Sequence, residues 1–267
     1  TTLLTPQDPR SVDLFSDKEI VLTGDKDPYL FGLVLDQQNK PMRTPEDAEP
    51  FAAYLLEKKS GTRTVDQDGT KKTVHHVTMA MVSNLPMKQA EKYRPLVHQF
   101  AEQYRISPSL VFAVIRTESN FNPYAVSSAP AYGLMQLVPT SGGREAYRKA
   151  KGQDVAPSRD YLFDPANNVE LGTAYLNVLM FNQLEAVDHN VSREYCVIAA
   201  YNTGPSNVFR TFSRDRTTAV NQINSLQPAG VYDQLRKSLP YEETRHYLEK
   251  VTGYRKSFVS SSESSNQ

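Results

Sequence analysis

The sequence predicts an α+β protein: a small mixed α/β module followed by a mainly helical domain. Two observations carry this. Up to about residue 85, strand-like stretches surround one short helical stretch. After "SNLPMKQ" nearly every segment has helical spacing and helix-start or helix-stop residues. The chain has 267 residues, 39% hydrophobic and 22% charged, enough apolar material for one large domain or two ordinary ones. The predicted division is a module over residues 1–88, a helical domain over 89–259 and a disordered polar tail, "SSSESSNQ", over 260–267.

In the module, "EIVLT" and "YLFGLVLD" read as strands, with "DQQNKP" turning between Leu35 and Met42. "TPEDAEPFAAYLLEKK" opens like a helix. Thr44 is placed to cap it, Pro45 sits at the first position, and Glu46 and Asp47 lie near the positive end of the dipole. "RTVDQDGTKKTVHHVTMAMV" reads as a hairpin with Asp68-Gly69 at its tip.

Beyond the module, "MKQAEKYRPLVHQFAEQY" is a long amphipathic helix. "SPSLVFAVIRTES" has Ser107 as N-cap with Pro108 behind it, and "DPANNVELGTAYLNVLMFNQL" repeats that grammar with Asp164 and Pro165. "REYCVIAAYNTG" ends at Asn202 and Gly204, which tolerate a left-handed helix end. "PYEETRHYLEKV" supplies a last helix.

Several classes are disfavoured at once. Thirty basic residues balance thirty acidic ones, and neither half is strongly basic, so nucleic acid is not the expected partner. No run of roughly eighteen apolar residues exists to form a membrane-spanning helix. The single cysteine, Cys196, allows no internal disulfide and sits in an apolar helical stretch. His75, His76, His98, His189 and His246 lack ligand spacing, so no metal and no other cofactor is expected.

One segment resists a purely structural reading. On a helix over 107–119, Val111, Val114, Ile115 and Glu118 fall at i, i+3, i+4 and i+7. Glu118 therefore continues an apolar stripe. Burial would disfavour its charged form, and the negative end of the helix dipole would push the same way. A carboxylic acid still protonated near neutral pH can act as a general acid. The plain alternative is a helix that ends at Ile115 and leaves Glu118 solvated. Around it lie short polar groups in "SNFNPYAVSSAPAYGLMQ", among them Asn120, Asn122, Ser127 and Gln136. Tyr201 and Asn202 end another helix, and Glu243 and Tyr247 stand at i and i+4 of the last. Aromatic and amide side chains suit sugar rings, which offer apolar faces and hydroxyl edges.

Taken in order, "TESNFNPYAVS", "YGLMQLVP", "FDPANNVELGTAYL", "AAYNTGPSNV" and "ETRHYLEKV" resemble the soluble-lytic-transglycosylase domain over roughly residues 91–258. Upstream, "DPRSVDLFSD", "PYLFGLVLDQQNKPMR" and "FAAYLLEKK" are similar to the module preceding that domain in membrane-bound lytic murein transglycosylases. The resemblance implies a lysozyme-like, mainly helical catalytic domain and a peptidoglycan glycan-strand substrate. It implies Glu118 as the single acid/base. It puts Ser127, Met135, Gln136, Tyr201 and Asn202 in the glycan groove, brings Tyr247 to the catalytic carboxyl and sets Glu243 beside it. Pro130 in "SSAPAYG" and Thr203 in "AYNTG" depart from the family's smaller residues. The implied reaction is non-hydrolytic cleavage that leaves 1,6-anhydromuramyl ends. A goose-lysozyme-type hydrolase and a non-catalytic glycan-binding scaffold are the alternatives. The implied location is the periplasm, with outer-membrane tethering through a lipid anchor outside this sequence. The N-terminal module would space the enzyme or meet cell-wall protein partners.

Overall fold

The computed structural model describes residues 32–67, 70–79, 82 and 85–263. Its backbone contacts divide the chain into two units, meeting at Lys88 and Gln89.

In the first unit, "DQQNKP" turns as expected. The Asp36 carboxylate accepts from the N–H groups of Gln38 and Lys40, both at 2.8 Å, and Asn39 adopts φ 62°. Helix α1 (Pro45–Lys58) starts with a full capping box: Thr44 accepts from the Asp47 N–H, and Asp47 accepts from the Thr44 N–H. Strands β1 (Ser60–Gln67) and β2 (Thr70–Val77) pair antiparallel, with Gln67 opposite Thr70. That register leaves Asp68 and Gly69 as the connection, although these two residues lie outside the described ones. A small core of Val34, Met42, Ala48, Phe51 and Leu55 holds the unit together. Two strand expectations fare differently. "EIVLT" lies outside the described residues. The described part of "YLFGLVLD" is no strand: it turns at Gly32 and Leu33 and makes only the isolated bridge Leu35–Pro41. Gly32 has φ +69°, which breaks the extended run.

The second unit is helical. Helix α2 (Leu85–Gln103) buries Ala90, Tyr93, Val97, Phe100 and Ala101, a stripe at helical spacing. Helix α3 (Pro108–Ser119) buries every residue from Leu110 to Ile115, so it runs through the core rather than over it. The chain continues through α4 (Gly142–Lys151), α5 (Arg159–Phe163) and α6 (Pro165–Val178). A π-helical turn, Leu179–Gln183, follows α6. Then come α7 (Asn190–Thr203), α8 (Pro205–Phe212), α9 (Arg216–Ser225), α10 (Pro228–Ser238) and α11 (Glu242–Glu263). Asp164 caps α6 as expected, accepting from the Asn167 N–H at 2.8 Å. Ser107 stands at the N-cap of α3, but its hydroxyl pairs with that of Ser109 instead of capping. The last helix runs on to Glu263, past the Val259 at which its end was expected. Helix α3 packs on α11 through the Phe112–Phe258 stack, 5.3 Å between centroids, and through Arg116, 3.8 Å from the Tyr254 ring.

Candidate active site

Why the chain breaks after Glu118 is now visible. Asn120 caps α3 in the left-handed conformation at φ 48°, and Phe121 follows at φ 63°. Phe121 is fully buried, stacked on Tyr93 and edge-on to Phe258. Two consecutive non-glycine residues with positive φ are costly, and this packing holds them there. Asn122 then closes a local turn by accepting from the Tyr124 N–H. The Ser119 hydroxyl donates to the carbonyls of Ile115 and Leu134, joining the helix end to the loop that follows.

That loop, residues 126–137, is a small folded-back structure with bridges Val126–Tyr132 and Tyr132–Leu137. It is clamped from α6 by Asn168. The Asn168 amide oxygen accepts from the Met135 N–H at 2.7 Å, and its NH2 donates to the carbonyls of Tyr132 and Leu162. Gly133, at φ +80°, sits so close that a Cβ would lie 2.2 Å from the Asn168 amide nitrogen. Only glycine fits there. Gln136, at φ 47°, spends its NH2 on the carbonyls of Ala125 and Gly133.

Helix α7 enters from the other side. The Tyr201 hydroxyl donates to the Met135 main-chain carbonyl at 2.9 Å, and the Asn202 side-chain amide oxygen accepts from the buried Thr244 hydroxyl at 2.6 Å. Between these elements runs a groove of about 890 Å³. Glu118, Ser127, Gln136, Tyr201, Asn202 and Glu243 all line it, so six of the eight residues proposed from sequence meet in one place. Two do not line it. Met135 is fully buried against Gly172, and its contribution is the main-chain anchor for Tyr201. Tyr247 is buried as well. Its hydroxyl lies near enough to Glu118 to favour the ionised carboxylate, yet it meets no partner in proper hydrogen-bond geometry.

Electrostatics single out Glu118. Burial raises its pKa to about 7; the Tyr247 hydroxyl opposes that rise, and the negative charge of Glu243 adds to it. Burial, reinforced by the Glu118 charge, also lifts Tyr201 and Tyr247 well above the usual phenol range, so both stay neutral donors. Among the described residues, the other carboxylates in the groove are Glu242 and Glu243, both exposed. Asp164 caps α6, Glu145 accepts from Gln183, and Glu170 pairs with Lys151.

Sequence reasoning missed four contributors. Tyr175 and Tyr241 add aromatic surface to the groove, Tyr175 tilted 5.4 Å from Tyr201. Thr244 lines the groove beside Asn202, and Asn168 works from behind it. A signal did exist for Asn168: it opens the buried run Asn168–Asn177, where an amide needs specific partners.

Residues 95–224 match the family model "Transglycosylase SLT domain", and residues 1–92 match "Membrane-bound lytic murein transglycosylase C, N-terminal domain". The membrane-bound lytic murein transglycosylase C of Yersinia enterocolitica is 45% identical over 258 residues, 97% of this chain and 70% of that protein. Its Klebsiella pneumoniae counterpart is 44% identical over 257 residues, 96% and 70% of the respective chains. Among solved structures, the lytic transglycosylase Slt of Pseudomonas aeruginosa superposes with a TM-score of 0.50 at 29% identity. The match covers 64% of this chain and 24% of that longer one, which was solved as an inactive mutant carrying glutamine in place of a glutamate.

Proposed function

The chain belongs to the membrane-bound lytic murein transglycosylase C family, and from that premise we propose that Glu118 alone serves as acid and then base in its reaction. The activity is that of a peptidoglycan-cleaving lytic transglycosylase, on a mainly helical lysozyme-like fold. The observation that carries the proposal is one half-buried, desolvated carboxyl, raised to about 7, in a groove whose other carboxylates are exposed.

A glycan strand would lie along the groove, with sugar faces against Tyr175, Tyr201 and Tyr241 and hydroxyls near Gln136 and Asn202. Protonated Glu118 gives its proton to the oxygen joining N-acetylmuramic acid to N-acetylglucosamine. The bond from that oxygen to the muramyl anomeric carbon breaks, and the N-acetylglucosamine leaves with a free hydroxyl. Positive charge builds on the muramyl ring. A retaining glycosidase meets it with a second carboxylate about 5 Å away. Here the muramyl N-acetyl oxygen takes that part. Glu118, now ionised, removes the proton from the 6-hydroxyl of the same sugar, and that oxygen attacks the anomeric carbon as the acetyl oxygen departs. The product is a 1,6-anhydromuramyl end, and no water is consumed.

Digestion of purified peptidoglycan in heavy-oxygen water tests this. The expected muropeptides are lighter by one water than hydrolysis products and carry no label. Labelled reducing muramyl ends formed during cleavage would make water the nucleophile, and Glu243 would then be its base. The names of the relatives support membrane attachment. We place the enzyme in the periplasm, tethered to the outer membrane by a lipid anchor, with the N-terminal module as the surface for cell-wall protein partners.

A further inference from the structure

A second concavity lies beside the groove. The turn from α7 to α8 separates them: Gly204 and Asn207 line the groove, while Ser206, Phe209 and Arg210, interleaved with them on the same short helix, line a pocket of about 370 Å³. That volume falls in the range of pockets that hold small ligands, roughly 300–1,000 Å³. Three arginines face it, Arg210, Arg214 and Arg216, and among the described residues no acidic side chain lines it. In a chain of net charge zero this is a local concentration of positive charge.

The neighbouring acids are occupied. Asp215 spends one carboxylate oxygen on the N–H and hydroxyl of Thr218, capping α9. Glu145 accepts from the Gln183 amide at 2.6 Å. Arg216 is held in place, donating to the Gln183 carbonyl at 2.9 Å and lying 4.9 Å from the centre of the Phe209 ring. Arg210 and Arg214 are exposed and, among the described residues, have no acidic partner. One oriented and two unpaired guanidinium groups around a small concavity match a ligand that brings more than one carboxylate.

Resting on the transglycosylase reading, we propose that this pocket binds the carboxylates of the peptide stem that hangs from the muramyl sugar. Peptidoglycan stems contain acidic residues and begin at the lactyl group of the sugar whose bond is cut. A strand seated in the groove therefore presents its stem within reach of the adjoining face of α8. The pocket would then read substrate decoration while the groove reads the glycan.

The test uses the full chain and the double variant Arg210→Gln with Arg214→Gln, which leaves Arg216 and the groove intact. Cleavage is followed on stem-bearing strands and on strands stripped of stems by an amidase. The expected result is a rise in KM of roughly three- to tenfold on stem-bearing strands, with kcat held and no change on bare strands. An equal loss on both substrates, or no loss on either, would overturn the proposal. If the parent yields no anhydro products from any strand, the catalytic reading has failed on its own, and direct titration then decides the pocket. Free stem tripeptide should bind the parent more tightly than its fully amidated form, and the double variant should lose that preference. Inorganic phosphate binding as tightly as the tripeptide would identify a general anion site and reject the stem assignment.

Discussion

Two regions of the helical domain draw a glutamate away from water, and they treat it in opposite ways. Glu170, in α6, meets Lys151 at 2.7 and 2.9 Å with the Tyr104 hydroxyl nearby, and the pairing raises the Lys151 pKa. Glu118, at the end of α3, faces no cation. Its neighbours are a neutral phenol and another carboxylate. The difference lies not in burial but in what has been set opposite the carboxyl. A carboxylate set opposite a lysine fastens two helices, whereas an unpartnered one is driven toward its neutral form and is free to give a proton.

Exchanging each glutamate for glutamine makes the comparison experimental. Glu118→Gln keeps size and polarity but removes the proton. General acid–base catalysis contributes about 10²–10⁴-fold, and here one group serves both steps. The expected outcome is a loss of at least that size in the rate of peptidoglycan solubilisation, with the circular-dichroism spectrum unchanged. A variant retaining a tenth of the parent rate would remove Glu118 from the role. Glu170→Gln should leave turnover per folded molecule intact.

Stability should respond the other way round. Glu170→Gln removes the ion pair between a buried carboxylate and the exposed Lys151, so a loss of about 1 kcal/mol in denaturant unfolding is expected. For Glu118 the sign follows from linkage. Its pKa rises from 4.5 in the unfolded chain to about 7 in the folded one. The folded state therefore holds the proton more tightly. That contribution is complete below pH 4.5 and is lost as pH rises to about 7. Glu118→Gln has no such loss. It should gain stability relative to the parent across that window, by at most about 3 kcal/mol, and the difference should level off at higher pH. A flat difference between pH 4 and 8 would mean that the carboxyl is not strained.

Much of this contrast could be read in the sequence, and what escaped has a physical reason. The stripe Val111, Val114, Ile115, Glu118 exposes the odd carboxyl because helix periodicity is local. The capping box at Thr44 and Asp47 is legible for the same reason. Asn168 is another matter: its partner Met135 lies 33 residues away in the chain, and only the folded loop brings its amide to that N–H. Met135 sits in a motif that touches the groove, yet its side chain points into the core against Gly172, a fact fixed by packing rather than spacing. Glu170 reads like any helix glutamate until Lys151, on α4, is brought against it. "YLFGLVLD" has strand composition, but the small first unit supplies its described residues with no pairing strand.

The finest test concerns the two groups that pull on Glu118 from opposite sides. Because the reaction begins with Glu118 protonated, turnover should fall as pH rises through about 7, approaching tenfold per unit beyond it. Glu243 raises that midpoint through its charge, so Glu243→Gln should move the falling limb to lower pH. Tyr247 lowers it, so Tyr247→Phe should move the limb to higher pH. The phenylalanine variant also deletes a buried hydroxyl that lacks a well-formed hydrogen bond, so it should fold at least as stably as the parent. Both shifts are expected to be small, since Glu243 is exposed and screened and the Tyr247 contact is imperfect. Their opposite signs are the informative part. Measured side by side in the same buffers, a common direction would show that the variants disturb the groove rather than the charge balance at Glu118. A Glu243→Gln variant that abolishes turnover at every pH would instead make Glu243 a reacting group, and the contrast with Glu170 would no longer describe a carboxyl that works alone.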